Sequence, residues 1–243
     1  MRRFLLLGIV LIAGLSRLTW AGPPFVTDDP EPVEYKHWEI DLASTYAHTA
    51  HDDFAQVPAP EIDYGIWPDV QLHEITPFAY DHADGQSHYG YSDTELGVKY
   101  RFIHETKYLP QVGVFPLVEL PTGKTSEGLG NGKAQYFLPV WLQKSWGPWT
   151  SFGGGGLWRN PGRGNRNYWL VGWEIQRDFG EHLTLGGEIY HTTPAAYGEG
   201  DRTAFNFGGY LNFDEHRHIL FSFGRDIQGP IHFQCYLAYQ LTF

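Results

Sequence analysis

From about residue 35 onward the chain alternates apolar and polar residues with a period of two. That is the pattern of strands with one oily face and one polar face. Leu96, Val98, Tyr100 and Phe102 oppose Glu95, Gly97, Lys99 and Arg101. Trp169, Val171, Trp173 and Ile175 oppose Gly172, Glu174 and Gln176. Leu183, Leu185 and Ile189 oppose Thr184, Glu188 and Tyr190, and Trp38, Ile40 and Leu42 oppose Glu39, Asp41 and Thr45. The pattern predicts strands at 35–47, 60–66, 70–82, 92–104, 109–121, 134–145, 149–159, 167–178, 182–194, 203–214, 217–227 and 231–243. In the last, Phe233, Cys235, Leu237, Tyr239, Leu241 and Phe243 share the apolar face, while Tyr236 and Ala238 take inward positions. The third strand slips phase near Glu74-Ile75, as at a bulge. Pro116 and Pro139 each remove a ladder donor and are expected to damage their strands.

The connections carry separate information. Tight turns fall at Trp67-Pro68-Asp69, Trp146-Gly147-Pro148, Gly180-Glu181 and Glu215-His216; longer polar connections fall at 48–59, 83–91, 122–133, 160–166 and 195–202. Short and long alternate, which sorts them to opposite ends of a membrane barrel; Gly229-Pro230 is a short exception. In lipid every backbone donor and acceptor needs a partner within the protein, so the sheet must close. A soluble sandwich would turn a polar face outward instead. The expected fold is all-β: a transmembrane antiparallel up-and-down β-barrel of about twelve strands, spanning 35–243.

The amino-terminal region supports export. Arg2 and Arg3, the apolar run Phe4–Gly14 and the small-residue site Thr19-Trp20-Ala21 read as a signal peptide over 1–21. The run is too short for a transmembrane helix, and no comparable run follows it. Residues 22–34 are rich in proline and acid and read as an extended periplasmic lead-in, with a partial plug inside the barrel as the alternative. Aromatic residues make up 16% of the chain, nine of them Trp, which suits the two membrane–water interfaces. A net charge of −11 argues against nucleic acid as a partner. The single Cys235 forms no internal disulfide and reads as a small lipid-facing residue.

Gly22-Pro23-Pro24-Phe25-Val26-Thr27-Asp28-Asp29-Pro30-Glu31-Pro32, followed by His37-Trp38-Glu39, resembles the start of a bacterial outer-membrane "transporter" family associated with the meta-pathway of phenol degradation. Tyr64-Gly65-Ile66-Trp67-Pro68-Asp69-Val70-Gln71-Leu72 resembles its second-hairpin segment, and Glu119-Leu120-Pro121-Thr122-Gly123 its Leu-Pro-Thr-Gly motif. The resemblance implies an outer-membrane channel for aromatic or other small organic solutes. It brings no catalytic residues.

By phase, Glu39, Asp41, Glu95, Lys99, Arg101, Glu119, Glu174, Gln176, Glu188 and Tyr190 point inward and line the pore. Acids outnumber bases there, which gives either a cation-favouring pore or a lumen plugged by paired charges. His48, His51, His82 and His88 lie near the first two long loops beside Asp52, Asp53, Asp81 and Asp84, and read as solvated loop residues. No metal, cofactor or catalytic residue is assigned. Gly153–Gly156 lacks the helix and Lys-Ser/Thr of a phosphate loop and reads as close approach within a curved strand. The glycine-bearing loop 123–133 folds inward as a constriction or reaches outward to bind. The expected function is passive uptake of small solutes across the outer membrane. The alternatives are a closed barrel that binds through its loops and, less well supported, an outer-membrane lipid hydrolase. Expected partners are outer-membrane lipid, a small-molecule solute and, through Phe243, the barrel-assembly machinery.

Overall fold

The computed structural model describes residues 24–243; the signal peptide expected at 1–21 lies outside them. Fifteen strand segments build one sheet: β1 (Trp38–His48), β2 (Asp53–Trp67), β3 (Val70–Ile75), β4 (Phe78–Ala83), β5 (Gln86–Tyr91), β6 (Thr94–Ile103), β7 (Gln111–Val114), β8 (Leu117–Leu120), β9 (Gln135–Trp146), β10 (Trp149–Arg159), β11 (Tyr168–Asp178), β12 (Leu183–Thr192), β13 (Arg202–Asn212), β14 (Arg217–Gln228) and β15 (Phe233–Thr242). Three pairs of segments are halves of one stave each: β3 with β4, β5 with β6, and β7 with β8. The result is twelve antiparallel staves. The sheet closes where β1 pairs with β15, from Glu39 opposite Thr242 to His48 opposite Phe233. Trp38 N donates to Phe243 O at 2.7 Å, and Phe243 N donates to Trp38 O at 3.0 Å, so the last residue completes the seam.

The outward phase is apolar and exposed. Leu42, Leu96, Val98, Tyr100, Trp169, Trp173, Leu237 and Phe243 all stand on it. The inward phase is buried, and Cys235, half-buried, keeps the outward phase of Phe233 and Leu237. For a water-soluble protein this surface would be inside out; for a lipid-embedded wall it is the arrangement the solvent demands.

Several connections differ from expectation. The segment 48–59 is mostly strand, because β2 starts at Asp53 and only 49–52 turn. The segment 83–91 is a hairpin whose turn is Asp84-Gly85, with φ of 51° and 73°. Both residues have positive φ, as tight two-residue hairpin turns need, and Asp-Gly supplies it. Residues 104–110 form a longer connection on the end that otherwise carries tight turns. The third stave breaks at Thr76-Pro77, just beyond the expected slip, and the fifth breaks at Phe115-Pro116. Pro139 does not break β9, where it pairs with Gly156 of β10, but on the β7/β8 side the ladder lapses at Leu138-Pro139. A Cβ at Gly154 would lie 2.1 Å from Val140 O, so the glycine run lets β9 and β10 approach at a bend.

Candidate functional site in the barrel interior

The ten residues expected to line the pore are buried or half-buried. Asp41, Glu95, Lys99, Glu119, Glu174, Glu188 and Tyr190 are buried, while Glu39, Arg101 and Gln176 are half-buried. They do not form one cluster. The interior divides into an acidic wall, an aromatic wall and a polar network, and residues 24–34 pass between them.

The acidic wall belongs to β1, β2, β3 and β6. Register places Asp41 opposite Glu61, Glu39 opposite Asp63, and Asp63 opposite His73. His73 Nδ1 lies 2.8 Å from Asp63 Oδ1, and its Nε2 lies 3.1 Å from Glu95 Oε1. Glu61, Asp63 and His73 were absent from the inward set read from sequence. The second strand looked short and the third slipped phase, so neither offered a dependable inside. In retrospect, Gln71 and His73 alternate with Val70 and Leu72 ahead of the slip.

The aromatic wall was also missed. Phe115, Phe137, Trp141, Trp158, Tyr168 and Leu170 form a buried cluster. Phe137 stacks on Trp158 with centroids 4.8 Å apart, and Trp158 on Tyr168 at 6.0 Å. Offset stacking of this kind adds roughly 0.5–1.5 kcal/mol per pair beyond area burial. β9 is apolar on both faces, with Tyr136, Leu138, Val140 and Leu142 outside and Phe137 and Trp141 inside. Such a strand has no readable phase. The indole Nε1 atoms of Trp141 and Trp158 are buried without a hydrogen-bond partner among the described residues.

The polar network centres on Arg202. Its Nε donates to Asp226 Oδ1 at 2.7 Å, and its Nη2 donates to the Tyr190 hydroxyl at 2.6 Å and to Gln234 Oε1 at 2.7 Å. Gln234 Nε2 donates in turn to Asn206 Oδ1 at 2.6 Å, and Asn206 Nδ2 to Glu188 Oε1 at 2.6 Å.

Of the two placements open for the lead-in, its described part takes the one inside the barrel. Phe25, Val26, Thr27 and Asp28 are all at most 4% exposed. Val26 N and Thr27 N donate to the two carboxylate oxygens of Glu188 at 2.8 and 2.7 Å. Lys99 Nζ donates to Asp28 Oδ1 at 3.1 Å. Glu31 accepts from Arg101, Gln111 and Gln143, and Val33 N donates to Gln71 Oε1 at 2.8 Å. Val26 also packs into the aromatic cluster. A Cβ at Gly172 would lie 2.1 Å from Thr27 Oγ1, so glycine there makes room for the segment.

At the rim, the loop 121–134 is held inward. Asp93 accepts from Gly123 N at 2.8 Å and Asn131 N at 2.6 Å, and Ser92 Oγ donates to Leu129 O at 2.7 Å. At the opposite end, Arg101 Nη2 donates to Asp69 Oδ1 at 2.7 Å, and His104 Nε2 contacts Asp69 Oδ2 at 3.0 Å. Burial alone would raise the Asp69 carboxyl; Arg101 and His104 outweigh it and hold the group below the usual carboxylate range. The outer histidines are tied locally: His48 Nδ1 to Asp53 Oδ1 at 2.7 Å and His82 Nδ1 to Ser87 Oγ at 2.7 Å.

Charge is unbalanced inside. Among the described residues, Asp28, Asp41, Glu61, Asp63, Asp93, Glu95, Glu119, Glu174, Glu188 and Asp226 are buried carboxylates, and Lys99, Arg202 and the imidazole of His73 are the buried bases. Both carboxylate oxygens of Glu174 and one of Asp41 lack a hydrogen-bond partner. Unpaired buried carboxylates are costly in a dry interior, so this arrangement suits a wet one.

A closed twelve-stave barrel with an apolar outer wall and a polar interior is the fold of outer-membrane channel-type barrels. No family model and no curated protein matches the sequence. Among solved structures, an outer-membrane channel from Pseudomonas putida F1 matches with a TM-score of 0.73 at 15% identity, over 88% of this chain and 98% of that one. OmpF of Salmonella typhi, in a complex with daunomycin, follows at a TM-score of 0.38 and 8% identity, over 85% of this chain and 96% of that one. The first likeness establishes the fold; the second is too loose to add to it.

Proposed function

We propose that this chain is an outer-membrane channel, exported by its signal peptide, that passes small organic solutes by passive diffusion. The family resemblance of its opening and hairpin motifs supports an aromatic solute class, as in the meta-pathway of phenol degradation. One observation carries the reading: a lipid-facing barrel encloses an aromatic wall beside an excess of partly unpaired buried carboxylates. A barrel filled only for stability would match its charges. The rings of Phe137, Trp141 and Trp158 are packed against one another and against Val26, so a flat aromatic solute gains that stacking surface and the two indole donors by displacing the lead-in, while water finds polar groups on the other side. The lead-in narrows this route where Val26 meets the aromatic cluster.

The test is single-channel conductance of the mature chain in planar bilayers, with salt gradients and added aromatic acids. Discrete cation-favouring openings that aromatic solutes block are expected, and Glu95→Gln with Glu174→Gln should move the reversal potential toward zero. Refolded but silent barrels, or a reversal potential unmoved by both substitutions, would overturn the reading. No hydrolysis of micellar phospholipid is expected.

A further inference from the structure

We propose that Asp41, Glu61, Asp63 and His73 form a divalent transition-metal site on the inner wall, with zinc as the ion that their donors suit. The register assembles it from three neighbouring staves, since Asp41 faces Glu61 across β1 and β2, and Asp63 faces His73 across β2 and β3. One ligand atom each from Glu61, Asp63 and His73 lies within 4.8 Å of the others. His73 Nδ1 is 3.5 Å from Glu61 Oε1 and 2.8 Å from Asp63 Oδ1. Ligands at about 2.1 Å from a tetrahedral zinc stand about 3.4 Å from one another, so the Glu61 contact already fits and the Asp63 contact needs a small opening.

Two further features point to an ion. His73 Nε2 lies 3.1 Å from Glu95 Oε1. A carboxylate on the far nitrogen keeps the proton there and leaves the Nδ1 lone pair to a metal, the usual outer support of a metal-bound histidine. Asp41 is 1% exposed, and its Oδ1 has no hydrogen-bond partner although it sits directly across from Glu61. The neighbouring base, Lys99, is engaged by Asp28 at 3.1 Å. Three inward carboxylates with one imidazole therefore gather with no lysine or arginine among the described residues bonded to any of them, and a divalent cation supplies the missing charge. Imidazole with carboxylates suits zinc and its first-row neighbours rather than calcium. The rival arrangement is an imidazolium bridging Asp63 and Glu95, which leaves Asp41 Oδ1 unanswered. The site stands apart from the channel reading, because metal binding is measured without conduction.

The experiment is calorimetric titration of Zn2+ into the refolded full mature chain in detergent, stripped with EDTA, at neutral pH. One tight equivalent is expected. Glu95→Gln should weaken it roughly 10–100-fold as an outer support, His73→Gln and Asp41→Asn should weaken it at least as much, and His48→Gln on the outer loop should leave it unchanged. Gel mobility with and without heating identifies which variants fold, and the isosteric Asp41→Asn decides the matter if His73→Gln does not. Absence of tight zinc binding by the native chain overturns the proposal. So does binding that survives both His73→Gln and Asp41→Asn, which would assign the zinc to the loop histidines.

Discussion

Removing the Glu188 carboxylate tests what holds the lead-in inside the barrel. Glu188 is 4% exposed, and its two oxygens accept from Val26 N and Thr27 N at 2.8 and 2.7 Å. In Glu188→Ala both backbone donors lose their acceptor. A buried donor left unsatisfied costs about 1–3 kcal/mol. Water enters the space left by the side chain, so the lower end applies to each, giving about 2 kcal/mol for the pair. The other anchors, Lys99 with Asp28 and Gln71 with Val33, are untouched, so the segment loosens at one end without leaving the barrel. At about 1.4 kcal/mol per tenfold, local opening at Val26 and Thr27 becomes roughly 30-fold more frequent. Hydrogen–deuterium exchange read on peptides covering 24–31 measures this directly. Glu188→Gln keeps one acceptor oxygen and should fall between alanine and the native chain. Exchange at Val26 and Thr27 within about twofold of native in Glu188→Ala would refute the reasoning, and would mean that packing against the aromatic wall alone holds the segment.

Deleting Phe243 removes the two seam bonds to Trp38 along with the terminal aromatic ring, and should lower the amount of heat-modifiable barrel in outer membranes without changing the conductance of what does assemble. Arg202→Leu leaves the Asp226 carboxylate buried without its cation and should destabilise the barrel by about 3–5 kcal/mol, read as a lower denaturant midpoint; Arg202→Leu combined with Asp226→Asn should recover part of that loss. Asp69 is held below the usual carboxylate range, so its contribution is present above its unfolded value of about 3.9 and is lost as pH falls further. The native chain should therefore lose more stability than Asp69→Asn between about pH 5 and pH 2 in denaturant titrations.

The periodicity of two was enough to name the architecture, because most staves carry an apolar outward face and a polar inward one. Where the two faces differ, as in β6, β11, β12 and β15, inward and outward residues were legible one by one. Even the place of Cys235 followed from phase alone. Legibility failed where the alternation carries no contrast or breaks. β9 buries Phe137 and Trp141 inside while showing Leu138 and Val140 outside, so the aromatic wall was invisible. Pro58 and Pro60 hid the true start of β2, and the break at Thr76-Pro77 hid the inward phase of His73. Pro139 leaves β9 continuous against β10, and the ladder is lost only on the other side, where the pairing lapses between Val114–Val140 and Leu117–Phe137. Two matters belonged to tertiary structure alone. One was the course of residues 24–34, whose partners Gln71, Lys99, Glu188 and Ser222 are spread across the chain and meet only when the barrel closes. The other was which carboxylates become neighbours: alternation marks Asp41 as inward, but only the register between staves sets Glu61, Asp63 and His73 beside it.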